Sequence, residues 1–163
     1  MMRTAIIYYS LEGNMEYIAN KIAGDDTSDV YRIIPEKAFP TGKVSKYFWC
    51  GKSATFGERP KLVNMVIDFS KYDTVIIGSP IWAGSITPPV HSFLHDNKIS
   101  GKKIILVAAH SGGGGEKCFA KMSEYLKDNT VIGRFEFLNP LLLKDEITDQ
   151  KIQEIRQLMT SDK

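Results

Sequence analysis

Cysteine is scarce in this chain. Cys50 and Cys118 are the only two among 163 residues, too few for a disulfide framework and without CxxC or zinc-ligand spacing. Reduced thiols in a cytoplasmic protein are the expectation. A dominant charge is also missing: 21 Lys and Arg stand against 19 Asp and Glu, a formal net charge of +2, which is no nucleic-acid signature. Disorder is excluded because 43% of the residues are hydrophobic and only 25% charged. No segment approaches the ~20 apolar residues that cross a bilayer. The opening run Met1–Tyr9 is too short for a signal-peptide core, lacks a small-residue cleavage site and leads into Glu12 and Gly13. What is left is one ordinary soluble domain over residues 1–163, able to bury roughly 70% of its unfolded surface.

The apolar runs that are present are short, rich in Ile, Val and Tyr, and separated by helical patterns. Arg3–Tyr9 predicts a first strand. Asn14–Ala23 predicts a helix, with Met15, Ile18, Ala19 and Ile22 at spacings of three and four and Gly24 as its stop. Val30–Ile34, Tyr72–Gly78, Lys103–Ala109 and Thr130–Leu138 read as four further strands. Helices are expected at about Pro88–Asp96, Glu116–Leu126 and Thr148–Met159, the last capped near Thr148. Strands apolar on both faces that alternate with helices imply a parallel sheet covered on each side. The expectation is an α/β doubly wound, three-layer sandwich around a five-stranded parallel sheet, whose ligand sits beyond the carboxyl ends of the strands.

Three loops lie at that edge. Ser10-Leu11-Glu12-Gly13-Asn14-Met15 runs straight into a helix, offering backbone N–H groups and the positive dipole end to a phosphate. Taken alone, a plain turn capped by Ser10 or Asn14 is the favoured explanation, because caps are commoner than phosphate sites. Gly78–Pro89 places Trp82 among small residues and prolines, either as a stacking face for a flat ligand or folded back as a lid. His110-Ser111-Gly112-Gly113-Gly114-Gly115 spends backbone entropy that close approach to a ligand would explain. It is the convergence of all three that favours a ligand.

The stretch Ser10-Leu11-Glu12-Gly13-Asn14 resembles the phosphate loop of flavodoxins, Ser/Thr-x-Thr-Gly-Asn-Thr. Tyr72–Gly84 resembles that family's third strand and flavin-facing loop, and Ser111–Gly115 is similar to the glycine loop of a subgroup. The resemblance implies a flavodoxin-like fold with strand order 2-1-3-4-5 and FMN as cofactor. It implies an FMN phosphate on Ser10, Glu12, Gly13, Asn14, Met15 and Glu16, held largely by backbone N–H groups. The loop Pro80-Ile81-Trp82-Ala83-Gly84 would face the flavin, with Trp82 stacked on it and the Ala83-Gly84 peptide near N5. His110, Ser111, Gly112 and Gly113 would border its pyrimidine end. Glu12 and Met15 depart from the pattern by replacing hydroxyl residues, and the glycine loop has no aromatic. The opposite flavin face would be open, or covered by Tyr47, Phe48 or Trp49.

Competing motifs fail on spacing. Gly51-Lys52-Ser53 would need a glycine where Lys46 stands and a preceding strand, so nucleotide triphosphate binding is rejected. His91 and His95 are four apart, but with no further ligand they read as ordinary surface or packing histidines. The acidic cluster of a phosphorelay receiver and the GxGxxG of a dinucleotide fold are both absent. Cys118 reads as a packing residue.

The expected function is electron transfer between redox partners. The alternative is an NAD(P)H-dependent FMN oxidoreductase acting on a quinone or similar acceptor. Charge distribution bears on the partner. Lys37–Lys61 carries six basic residues and one acidic, a local +5 that leaves −3 on the rest of the chain. Its interleaved aromatics are read as a helix and partner surface rather than a nucleic-acid site. That predicts an acidic partner or anionic substrate, with rates that fall as salt rises.

Overall fold

Strands that are apolar on both faces have to be covered on both, and that requirement sets the architecture. The computed structural model describes residues 2–24, 28–39 and 58–161. In chain order the elements are β1 (Thr4–Tyr8), α1 (Asn14–Ala23), β2 (Ser28–Arg32), β3 (Thr74–Trp82), β4 (Ser85–Ile86), α2 (Pro88–Asp96), β5 (Lys103–His110), α3 (Gly115–Glu124), β6 (Thr130–Leu138), α4 (Pro140–Leu143) and α5 (Glu146–Thr160). A 3-10 turn at Phe69–Lys71 precedes β3.

The sheet order is β2-β1-β3-β5-β6, with β4 attached to β3. All main pairings are parallel. Discounting the β4 hairpin, this is the expected 2-1-3-4-5. Ile7, Ile77, Leu106 and Phe93 belong to one core, under α2 and α3. Ile6, Ile76, Ile105 and Val107 belong to the other, against Ile18, Ile152 and Ile155 of α1 and α5. Alternate residues of one strand thus feed opposite cores, as a two-residue period demands.

Several boundaries move for identifiable reasons. β2 begins at Ser28 rather than Val30 because Ser28 and Asp29 pair with Thr4 and Ala5. Asp29 is fixed there by Arg3 at 2.7 Å and by the Tyr72 hydroxyl at 2.6 Å, which holds its carboxyl below the usual range. β3 runs on to Trp82, four residues past its expected end, since Ile81 and Trp82 find partners in Ile86 and Ser85. The last helix starts at Glu146, not Thr148, because Asp145 is its cap and accepts the Thr148 N–H at 2.9 Å. Pro140–Leu143 forms a helical turn with no expectation behind it. Pro88–Asp96 and Thr130–Leu138 have the expected limits. Tyr47, Phe48, Trp49, Gly51-Lys52-Ser53 and most of Lys37–Lys61 lie outside the described residues.

Cys118 is a packing residue: burial, and secondarily Glu136, push its thiol up to about 12. His91 is buried with Nε2 2.7 Å from the Tyr125 hydroxyl, whereas His95 is exposed beside Asp96. Among the described residues no cluster suited to a metal ion occurs, and no helix there is long and apolar enough to cross a membrane.

Burial, then the Lys121 and Arg59 cations, hold the His91 pKa below its ordinary value. The unfolded chain therefore takes up this proton first, starting near pH 6.5. The neutral ring's stabilisation is full above that pH and is lost as pH falls through the lower folded value. Urea unfolding between pH 7.5 and 5 should show that decline, and His91→Gln should flatten it.

Candidate functional site

Parallel register carries β1, β3 and β5 to a common edge, where Tyr8 lies opposite Gly78 and Gly78 opposite Val107. The turn after β1 is closed by Ser10, which is buried and whose Oγ accepts the Gly13 N–H at 3.1 Å. Gly13 caps α1 in the left-handed region, at φ 98°, without a side-chain cap bond. Met15 points into the core, so tightly against Gly78 that a Cβ there would lie 2.4 Å from its Cε. Only its backbone is available to a ligand. The Asn14 side chain is engaged as well, since its Oδ1 accepts the Leu141 N–H at 3.1 Å. Leu11 is half-buried and Glu12 exposed.

The second loop is a hairpin rather than an open loop. Trp82 pairs with Ser85 across a two-residue turn, Ala83-Gly84, with φ of 50° and 71°. Tight hairpin turns need positive φ at both central positions. Gly84 meets that freely, whereas Ala83 carries a Cβ penalty of about 1 kcal/mol. The base of the hairpin is pinned where the buried Ser79 Oγ accepts the Thr87 N–H at 3.1 Å. Pro80 and Ile81 are half-buried on the outgoing strand. Trp82 is half-buried too, meeting Tyr9 and Phe39 in edge-to-face contacts with centroids 5.8 and 5.3 Å away. It joins the second loop to the first and keeps part of its surface exposed.

In the third loop, His110 Nδ1 accepts the Gly113 N–H at 2.7 Å. The imidazole proton is thereby assigned to Nε2, which lies 3.4 Å from Glu136 Oε2. Ser111 and Gly112 are exposed, and a Cβ at Gly112 or Gly113 would meet nothing within 4 Å. Gly114 is different: at φ 97° its Cβ would lie 3.1 Å from the Gly84 Cα. The glycine loop and the hairpin turn touch backbone to backbone.

Sequence reasoning missed three contributors. Asn139–Lys144 bridges two loops: the Asn139 N–H reaches the His110 carbonyl at 2.9 Å, and Leu141 holds Asn14. It also displays Leu141, Leu142 and Leu143 to solvent. Glu136 faces His110 from β6, and Arg32 reaches the first loop from β2. None of the three sits in a motif, and only the sheet order brings them near.

Ser10, Trp82, Gly84, His110, Gly113 and Gly114 thus form a continuous rim at the carboxyl ends of the strands. It combines a helix N-terminus for an anion, an indole for a ring system and glycines permitting close approach. The residues fit a flat aromatic nucleotide with one phosphate. Fold and rim together define a doubly wound α/β protein with a candidate ligand site at the carboxyl ends of its strands.

The flavodoxin family's sequence profile matches residues 3–155. The chain belongs to the flavodoxin family, whose cofactor is FMN. Solved structures share the fold. A flavoprotein in complex with FMN from Lactobacillus acidophilus NCFM is 22% identical, with a TM-score of 0.72 over 86% of this chain and 97% of that one. A protein from Bacteroides eggerthii DSM 20697 is 17% identical, with a TM-score of 0.76 over 99% and 100%. An NADH:FMN oxidoreductase in its apo form is 11% identical, with a TM-score of 0.60 over 97% and 88%. No curated protein matches the chain.

Gly114→Ala should cost about 1–3 kcal/mol in chemical unfolding and weaken FMN binding, because its Cβ drives the glycine loop off the hairpin. Gly112→Ala, which meets nothing within the chain, should stay within about 0.5 kcal/mol in the same unfolding measurement. Equal effects of the two substitutions would contradict this packing.

Proposed function

We propose that this protein is an FMN-binding electron carrier of the flavodoxin type, passing electrons between redox partners. The observation that carries the reading is the Trp82–Ser85 hairpin pressed against the glycine loop at the strand ends. FMN, when bound, accepts and releases one or two electrons. The chain's part is to bind, orient and shield. Backbone N–H groups of Ser10, Glu12, Asn14, Met15 and Glu16, with the α1 dipole behind them, suit the phosphate, while the Gly13 N–H is taken by the Ser10 Oγ. Trp82, flanked by Pro80 and Ile81, offers its exposed surface to the ring system. The Ala83-Gly84 peptide, already in a costly backbone region, supplies a carbonyl or N–H whose orientation can change at small expense. His110, Ser111, Gly112 and Gly113 lie along the remaining edge.

Exposed Lys37, Arg59 and Lys61 are the described part of the basic segment, and Phe39 of the same segment packs on Trp82. That supports an acidic protein partner, or an anionic small acceptor, meeting the protein beside the cofactor.

A second reading, an NAD(P)H-dependent FMN oxidoreductase acting on a quinone or similar acceptor, is favoured by the space around the glycine loop. The open surroundings of Gly112 and Gly113 suit a second flat substrate.

Anaerobic titration of the FMN-loaded protein separates the two readings. The carrier reading expects stepwise one-electron reduction by dithionite and no bleaching by NADH or NADPH within minutes. Rapid bleaching by either nucleotide establishes the enzyme instead. A preparation that stays colourless in excess FMN excludes both. Trp82→Ala should weaken FMN about three- to tenfold and shift its potential. Unchanged affinity and potential would make Trp82 a lid over Tyr9 and Phe39 only.

A further inference from the structure

The phosphate loop of this chain lacks two hydroxyl residues, with Glu12 and Met15 in their places, and carries a second carboxylate at Glu16 in the first turn of α1. A carboxylate such as Glu16 beside a phosphate dianion opposes binding unless a cation offsets it. The structure supplies one from outside the loop. Arg32 is the last residue of β2, directly opposite Tyr8 in the register, and the neighbouring Ile33 N–H holds the Tyr8 carbonyl at 2.7 Å. That pairing leaves the guanidinium at the foot of the turn. Its Nη2 donates to the Ser10 carbonyl at 3.0 Å, and its Nη1 lies 3.2 Å from Glu16 Oε1.

These contacts do two separable things. The bond to the Ser10 carbonyl fixes the orientation of the Ser10-Leu11 peptide. Because that peptide is planar and trans, the Leu11 N–H points to the side away from Arg32. Ser10 meanwhile uses its hydroxyl to hold Gly13, so both ends of the turn are fixed through one residue. The ion pair neutralises Glu16, the carboxylate nearest the α1 dipole. Lys21 and Lys144 lie over the Tyr17 ring instead. Arg32 and Glu16 are both about two-fifths exposed. The pair therefore contributes little to global stability.

We propose that Arg32 is the positioning residue of the phosphate end, compensating for the missing hydroxyls and setting the preference for a phosphorylated flavin over an unphosphorylated one. The inference rests on the FMN reading and extends it to a residue on another strand. It makes the phosphate-dependent part of binding a property of the Arg32–Glu16 pair, whereas Trp82 and the hairpin act on the ring system common to both flavins.

The test is titration of the deflavinated full-length chain with FMN and with riboflavin, by flavin fluorescence, at low and high salt. Arg32→Ala should weaken FMN about tenfold, leave riboflavin within about twofold, and flatten the salt dependence of FMN binding. Arg32→Lys, which keeps the charge but loses the two-pronged geometry, should fall between. Glu16→Gln, an exposed change that leaves the fold intact, should tighten FMN about threefold with riboflavin unchanged. Equal weakening of both flavins by Arg32→Ala would reduce Arg32 to a structural strut and overturn the proposal. So would a wild-type chain that binds the two flavins alike, or a Glu16→Gln variant with unaltered or weaker FMN binding. A wild-type chain that takes up neither flavin overturns the cofactor reading together with this one. Riboflavin bound without any FMN preference overturns only this one.

Discussion

Everything at the candidate site depends on one constraint: β1, β3 and β5 are parallel, adjacent, and buried on both faces. Parallel pairing sends three successive chain segments to the same edge, so the turns that follow them must share space. Burial on both faces fixes the register. A slip of one residue would exchange Ile76 for Ile77 and Ile105 for Leu106 between two differently shaped cores. Such a slip would also pull Gly78 away from Met15 and part the hairpin from the glycine loop. The site is thus positioned by the interior of the sheet rather than by the loops themselves.

The loops add a second tier of contacts that close a ring. Trp82 ties the hairpin to Tyr9, Gly84 abuts Gly114, His110 binds Gly113, Asn139 reaches His110, and Leu141 holds Asn14. Each contact is modest, on the order of 1 kcal/mol for a hydrogen bond. Their effect is geometric: left-handed residues at Gly13, Ala83, Gly84, Gly113 and Gly114 have no single preferred arrangement in isolation, and the ring selects one. A rim preorganised in this way costs less ordering entropy when a ligand arrives.

The chemistry divides along the same lines. Flavodoxin-family membership accounts for FMN, and in the proposed arrangement Trp82 and the hairpin serve its ring system and the α1 end its phosphate. The charged residues at and beside the rim, Arg32, Glu16, His110 and Glu136, come from β2, α1, β5 and β6. Charged groups spread over four elements can vary independently of the scaffold. One fold can therefore serve both a carrier and an oxidoreductase.

The alternation of apolar runs and helical periods settled the order of the main elements and the parallel sheet, because burial on two faces leaves its mark directly in composition; the strand order came from the resemblance to flavodoxins. Helix α2 and strand β6 could be read to the residue, since Pro in the first turn and a Val-Ile-Phe-rich run are local signals. The same locality made the three loops legible: glycine, tryptophan and serine stand there for reasons internal to each turn. Two boundaries were misjudged for separate reasons. β3 runs on to Trp82 because Ser85 and Ile86 pair back on it, and Asp145 rather than Thr148 caps α5 because its carboxylate reaches the Thr148 N–H. Tertiary structure alone decided that Leu141 would hold Asn14 from 127 positions away. It alone set Glu136 against His110 and brought Arg32 under Ser10. Such contacts join residues whose side chains obey no shared period, and only the packed sheet makes them neighbours.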